Sequence, residues 1–403
     1  MGPSGYSESE YAFLDRSGRP EFERVRSLMN QWFTEYPKCS RADLKGRIRS
    51  NDSRQHFGAL GELFLHALFS RLSYEIDVLP AGSKNQSRPD FALEGDALQD
   101  FDLEVTTAMI SGEDEPRDKR ISELHDYLNQ IDSPDFFLRI EIVETPDHHA
   151  KIRNIRNHLQ RLVRILDYDK LHYAWTSNHR IPRYPIEVDG WQLVVQIVPK
   201  SSDARGKPGA RPIGSLGDRG GSFRSTFDDD TAMLIRRALK DKMTKYGPRT
   251  RPYVVAVVDR EPFSDIRQYV QALIGSEISD QGIQRDSDGL FCGPNGPKNT
   301  RVSGVVCIRG FGVGVIGRIT PLYIENPWSM YETLNMPKAF ERWYVNRIDG
   351  TLVRNEANIK LYELFGLYEN WPYQEIPPES SAWNFLGPIY EPQRINIGHN
   401  VDL

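Results

Sequence analysis

Between Asp52 and Leu72 the chain carries an apolar helical stretch with a carboxylate, Glu62, at its centre. Phe57, Leu60, Phe64 and Leu68 form one stripe, and Leu63, Leu65, Ala67 and Phe69 widen it until the helix is apolar on most sides. Asp52 followed by Gln55 has the form of a capping box. Such a helix has to be buried, and a carboxylate within it is costly unless it is paired or metal-bound. The chain must therefore supply a core to receive the helix and a partner for Glu62.

Three strand-like segments follow, Tyr74–Leu79, Arg88–Leu93 and Phe101–Thr106, with a polar hairpin loop over 94–100. A helix near Asp118–Ile131, a strand at Phe136–Val143, a basic helix over Lys151–Leu166 and a strand at Trp191–Val198 come next. A helix over Asp230–Tyr246 is stopped by Gly247 and Pro248, and Pro252–Val258 reads as a strand. The alternation predicts a mixed α/β (α+β) fold, a central sheet flanked by helices. At roughly 100–200 residues per domain, 403 residues divide into a helical N-terminal cap (1–50), an α/β core (51–260) and an accessory C-terminal region (261–403). In the cap, Phe22, Val25, Leu28, Met29 and Phe33 keep helical spacing until Pro37. In the last region a β-like pair is expected near Val302–Ile308 and Gly314–Ile324. Its aromatic tail carries Trp328, Trp343, Trp371 and Trp383, read as stapled onto a domain surface.

Fifty-one Lys and Arg against 56 Asp and Glu give a net charge of −5, which excludes a globally basic nucleic-acid coat but not a local basic groove. Such grooves are offered by Lys151, Arg153, Arg156, Arg161 and Arg164 on the basic helix. They are offered again by the Gly-rich loop at 200–225, with Lys200, Arg205, Lys207, Arg211, Arg219 and Arg224. Three cysteines (Cys39, Cys292, Cys307) are too few and too scattered for a disulfide scaffold or a cysteine zinc site. No 18-residue apolar run exists, and Met1–Arg16 is polar and acidic, so the expectation is a soluble, cytoplasmic protein without membrane contact.

The chemistry concentrates between Glu62 and Thr106. Arg88-Pro89-Asp90-Phe91 precedes Asp102-Leu103-Glu104-Val105-Thr106, with Glu104 14 residues after Asp90. On a strand, Phe101, Leu103 and Val105 face one way and Asp102, Glu104 and Thr106 the other. A short hairpin would bring Asp90 and Glu104 within reach of one hard cation, with Glu62 as a third carboxylate from the flanking helix.

This order resembles the PD-(D/E)XK nuclease superfamily, the restriction-endonuclease-like fold. Glu62 would match the helix Glu, Pro89-Asp90 the Pro-Asp, and Glu104 the acidic residue of Glu-x-Lys. The likeness spans roughly Asp52 to Val143, about a quarter of the chain. More widely, Arg-Pro-Glu-Phe near residue 20, Lys245-Tyr246-Gly247 and the segment from Pro252 to Val257 look like a bacterial protein family with no assigned activity. The resemblance implies a Mg²⁺- or Mn²⁺-dependent endonuclease, with DNA as the favoured partner. Asp90, Glu104 and the Val105 carbonyl would hold the ion, and Glu62 would orient a water or a second ion. It also leaves room for a homodimer or a partner protein.

One position departs from the motif. Thr106 stands where the family has its lysine, and threonine carries no positive charge. On the helix from Asp230, at about 100° per residue, Lys242 falls at the centre of the arc of Leu234, Ile235, Ala238 and Leu239, with Tyr246 beside it. Lys242 is therefore the candidate fourth catalytic residue, and Lys84 in the loop before Asp90 the other. If neither serves, the alternative is a catalytically silent nucleic-acid-binding or protein-interaction module of a larger, defence-type system. Other signals are set aside. Gly312-Val-Gly-Val-Ile-Gly317 matches G-x-G-x-x-G but precedes Arg318-Ile-Thr-Pro321, so it reads as β-turn geometry. His148-His149 has no third ligand at helical spacing, and Asp228–Asp230 fits a helix N-terminus.

Overall fold

The computed structural model describes residues 5–78, 88–95, 99–109, 115–148, 151–178, 182–206, 211–213, 227–247, 250–260, 265–275, 288–346 and 351–373. In chain order the elements are α1 (Glu10–Arg16), α2 (Pro20–Glu35), α3 (Arg41–Ile48), α4 (Ser53–Arg71), β1 (Glu75–Val78), β2 (Phe91–Glu94) and β3 (Phe101–Ala108). Next come α5 (Glu115–Leu128), β4 (Phe136–Glu144), α6 (Ile152–Ile165), α7 (Tyr168–Asn178), β5 (Arg183–Val188) and β6 (Trp191–Pro199). Then follow α8 (Phe227–Thr244), β7 (Tyr253–Asp259), α9 (Ile266–Leu273), β8 (Cys292–Gly293), β9 (Gly296–Pro297), β10 (Gly304–Ile308), β11 (Leu322–Glu325), β12 (Glu341–Val345), β13 (Leu352–Asn355) and α10 (Leu361–Leu364). The fold is mixed α/β, as expected.

The chain forms two compact units. One comprises residues 8–111 and 225–376, with 1–4. The other is an insertion, 112–224, together with 5–7 and 377–403. The bounds differ from segments divided at 50 and 260, because the strands beyond residue 260 continue the sheet that β1 begins.

In the first unit the strands run in the order β1-β2-β3-β7-β10-β11-β12-β13. β1, β2 and β3 are antiparallel neighbours, whereas β3, β7 and β10 are parallel. β7 (Tyr-Val-Val-Ala-Val-Val-Asp) is buried at every position, as a central strand paired on both edges and covered on both faces must be. One face meets α2, α3 and α4 through Trp32, Leu63, Phe64, Leu103, Val254 and Val258. The opposite face meets α8 and α9 through Ile235, Leu239, Leu273, Val255 and Val257. The Asp52 carboxylate caps α4 by accepting from the Arg54 and Gln55 amides at 2.9 and 3.4 Å. The run α4-β1-β2-β3, a crossover, α8 and β7 is thus the frame on which the acidic motif is carried.

The second unit is an antiparallel three-stranded sheet in the order β4-β6-β5. Alternate residues of β6 are buried, so one face packs, here against Leu124, Ile155, Leu159 and Val163 of α5 and α6. Asp189 and Gly190, at φ +51° and +82°, make the two-residue turn that twists β5 back onto β6.

Several expectations are corrected. The G-x-G-x-x-G segment is a 3-10 helix, Val313–Arg318, rather than strand and turn, and the strand of the expected β pair starts only at Leu322. Val313 and Ile316, at a helical i, i+3 spacing, are buried, whereas Val315 between them is exposed. Lys200, expected among the basic residues of a solvated loop, is 1 % exposed; its Nζ donates to the Ser133 carbonyl and its amide to the Asp135 carbonyl. Arg205 is paired with Asp135 at 3.0 Å. Lys207, Arg219, Arg224, Lys84, His149, Trp383 and the side chains of Asp228–Asp230 lie outside the described residues. Trp371 does staple its segment down, donating from its indole to the Val313 carbonyl at 3.0 Å. Within the described residues no helix is long and apolar enough to cross a membrane.

Candidate active site

β2 and β3 pair as Phe91 with Leu103, Ala92 with Asp102 and Leu93 with Phe101. Extending that register by one residue sets Asp90 opposite Glu104. The Val105 amide donates to Asp90 Oδ2 at 2.7 Å, so the hairpin itself delivers both acids to one place. Among the described residues this is the hydrogen bond that Asp90 receives.

Glu104 is fully buried and accepts three hydrogen bonds. Its Oε1 accepts from Lys242 Nζ at 2.5 Å and from Lys245 Nζ at 2.8 Å, and its Oε2 accepts from the Tyr246 hydroxyl at 2.6 Å. The Tyr246 hydroxyl also lies 2.6 Å from the Arg88 carbonyl, two residues before Asp90. These donors come from the end of α8, which packs on β3 with Thr106 Oγ1 against the Ala238 carbonyl at 3.3 Å. The small threonine lets the helix sit close, and the helix brings the ammonium group that the strand lacks.

Glu62, in the middle of α4, is met from the N-terminal helices. Arg47 of α3 donates to its Oε2 at 2.7 Å and the Tyr36 hydroxyl, just after α2, to its Oε1 at 2.5 Å. Tyr36 is itself completely buried and packs on the His66 ring, with centroids 4.7 Å apart. The segment read as a cap therefore supplies half of the site's wiring.

The electrostatics follow from these contacts. Burial, then the Glu104 and Glu62 charges, push the Asp90 carboxyl up to about 7, against the Val105 amide and Lys242, which pull it down. Burial would also raise Glu104, but the bonds from Lys242, Lys245 and Tyr246 outweigh it and hold that carboxylate below its usual range. Burial and the neighbouring Glu62 charge push the Tyr36 phenol upward. Burial would lower Arg47, yet its pairing with Glu62 raises it. The result is three carboxylates and three cations in one region, with Asp90 the acid that no cation among the described residues pairs with directly.

Of the residues expected from sequence, Asp90, Glu104 and Lys242 are brought together, and Glu62 stands close enough for its charge to act on Asp90. Sequence reasoning missed Tyr36, Arg47 and Lys245. Lys245 and Tyr246 follow Lys242 at i+3 and i+4, a spacing readable in the sequence, although α8 itself ends at Thr244. Nothing local marks Tyr36 or Arg47, which lie 26 and 15 residues from Glu62.

The donor set fits a hard divalent cation in kind: carboxylate oxygens, one of them buried beside two like charges with no counter-ion on it. Among the described residues, however, no group of three or more His, Cys, Asp or Glu side chains is gathered closely enough to hold an ion. An ion shared by Asp90 and Glu104 would use the remaining lone pair of Glu104 Oε2 or displace one of its three protein donors. His148, set aside on its spacing, is exposed beside Asp147 at 3.3 Å. No protein-family model matches the chain, and neither does any curated protein or solved structure.

Proposed function

We propose that the chain is a metal-dependent nuclease of the PD-(D/E)XK kind that hydrolyses phosphodiester bonds, with DNA as the favoured substrate. The observation that carries this reading is the 2.5 Å contact of Lys242 with Glu104, beside Asp90. A lysine from α8 stands where Thr106 leaves the motif without one. Two further features support it: the hairpin that joins Asp90 to Val105, and the helix that presents Glu62 to the same region.

Asp90 and Glu104 would hold Mg²⁺ or Mn²⁺, which when bound lowers the pKa of water and offsets phosphate charge. Lys242 and Lys245 then do what the chain can do unaided. Freed from Glu104, their ammonium groups meet the negative charge that builds on a phosphoryl oxygen. Tyr246 holds the Arg88 carbonyl and Glu104 together and so fixes the strand carrying Asp90. Tyr36 and Arg47 fix the rotamer of Glu62, which accepts at both oxygens and keeps its charge directed at Asp90.

The test is cleavage of plasmid, single-stranded DNA and RNA with Mg²⁺ or Mn²⁺. Asp90→Ala and Lys242→Met should each lose about a hundredfold or more, as removal of charge-stabilising groups does. Activity equal to that of the parent in both variants removes the site from consideration. A second reading has its own observation: both oxygens of Glu104 and of Glu62 are already occupied by protein donors. That favours a catalytically silent, nuclease-like binding module. Calorimetry separates the two, since a silent site takes up no Mn²⁺ and Asp90→Asn changes nothing.

A further inference from the structure

The inserted unit carries a charged face that the hydrolytic site does not use. From His148 to Leu166 the chain has no acidic residue, although the protein as a whole is net acidic. On α6 the apolar side faces into the unit: Ile155 and Leu159 are fully buried and Val163 nearly so, with only Ile165 at the helix end strongly exposed. The opposite side exposes Arg153, Asn154, Asn157, Arg161 and Arg164. At about 100° per residue, Arg153, Arg164, Asn157 and Arg161 fall within an arc of roughly 80°. At about 1.5 Å per residue the stripe is some 17 Å long.

Several other cations of the unit are engaged by partners of their own. Arg183 is paired with Glu141 at 2.6 Å, Arg205 with Asp135 at 3.0 Å and Lys170 with Asp167 at 3.6 Å. Arg156 is tied to α5, bonded to Gln130 at 3.2 Å and lying over the Tyr127 ring. Among the described residues, Arg153, Arg161 and Arg164 form no ion pair, and Arg161 reaches only the Asn157 carbonyl of its own helix at 3.3 Å. Like charges held in a row without counter-ions repel one another, and a polyanion relieves that repulsion.

We infer that the exposed face of α6 docks the phosphate backbone of a nucleic acid, with Arg153, Arg161 and Arg164 as the contacting side chains. Arginine suits the role because its planar fork matches phosphate oxygens, and the interleaved asparagines add neutral donors. A membrane surface is disfavoured, since the apolar side that would enter lipid is the side buried in the unit. A protein partner is disfavoured too, because the stripe between Arg153 and Arg164 lacks the apolar centre that protein interfaces carry. The inference does not require hydrolysis; it adds a docking surface to the proposed nuclease and stands without it.

The experiment measures binding of labelled duplex DNA, single-stranded DNA and RNA to the full chain in EDTA, by fluorescence anisotropy across a salt series. Exchanging Arg153, Arg161 and Arg164 together for Gln should weaken binding tenfold or more. It should also make log K fall less steeply with log salt, by about 2 to 3, since each lost phosphate contact removes about 0.9 from the slope on duplex DNA. The single reversal Arg161→Glu, at an exposed position, should act in the same direction without disturbing the fold, whereas Arg183→Gln should change affinity by no more than about twofold. Unchanged affinity and slope in the triple variant and in Arg161→Glu overturn the inference. So does wild-type protein that binds anionic vesicles but no nucleic acid. Comparing the parent with Asp90→Asn in Mg²⁺ keeps the two proposals apart: arginine-dependent binding by a parent that does not cleave, or that cleaves no faster than Asp90→Asn, sinks the nuclease reading alone, and cleavage with binding unmoved by the arginine exchanges sinks the docking surface alone.

Discussion

A carboxylate with no solvent exposure has to be met inside the fold, and Glu104 is met by two ammonium groups on a single oxygen. The two lysines are therefore partly redundant. Lys242→Met alone leaves Lys245 and Tyr246 in place and should cost about 1–3 kcal/mol in urea unfolding. With Lys245→Met added, a buried charge loses both cations, and the total should reach about 3–5 kcal/mol. Because the pair shares one acceptor, the double-mutant cycle should show coupling of about 1 kcal/mol or more; strict additivity would mean that the lysines do not meet at Glu104. Histidines offer a second residue-scale test. Burial lowers His66 and His125 to about 4, and His66 Nδ1 and His125 Nε2 find no partner. Between about pH 6.5 and 4 the unfolded chain thus binds more protons at these rings than the folded one. Their contribution is present above pH 6.5 and is lost as pH falls toward 4, by about 2 kcal/mol each at pH 5. His125→Phe should narrow the stability gap between pH 7 and pH 5 by about that amount in denaturant titrations. Asp90, whose raised value works in the opposite direction, is common to both proteins and cancels. A gap of unchanged width would show that His125 titrates normally.

At the scale of elements, α4 was legible because burial dictated its composition, and α8 because its apolar arc left Lys242 out of place. The partners of those helices were less legible. α9 begins with a true capping box, Asp265 with Gln268, and the β5–β6 hairpin turns on Asp189-Gly190; neither enters the sequence reading, and Pro185 within β5 is a residue that argues against a strand. Element contact makes a prediction at Gly61. A Cβ there would lie 3.0–3.4 Å from Cβ and both methyl carbons of Val258, so α4 approaches β7 closely enough that a side chain would require Val258 to give by a few tenths of an ångström. In an isolated helix Gly61→Ala would gain about 1 kcal/mol. In this protein the gain should vanish or reverse, and Gly61→Val should cost about 1–3 kcal/mol through overpacking. Val258→Ala placed on Gly61→Ala should recover part of the loss. A Gly61→Val protein as stable as the parent would mean that the helix can lift off the strand freely, and Glu62 with it.

At the scale of the whole molecule, what the sequence hides is distance along the chain. The acidic motif lies within 43 residues of Glu62, but Lys242 is 138 residues from Glu104, beyond an entire inserted unit. Periodicity reports which way a side chain points within its element. It says nothing of which other element stands opposite, so the Lys242 candidate could be nominated from its arc while Tyr36 and Arg47 could not. The insertion leaves after β3, which carries Glu104, and the chain returns into α8, which carries Lys242. Each unit has apolar clusters of its own, so removal of residues 112–224 should spare the first core. A Gly/Ser linker of about 15 residues, with a mean span of about 20 Å, can replace the crossover. The shortened chain should unfold in one cooperative transition and keep the coupling between Lys242 and Lys245. It should bind nucleic acid more weakly than the full chain, with a shallower salt dependence, because the arginine stripe has gone with the insertion. Its appetite for Mn²⁺ should be unchanged from the parent's. Loss of cooperative unfolding would show that β3 and α8 are held together by the insertion rather than by Glu104 and its lysines, while full nucleic-acid affinity would place the docking surface in the first unit.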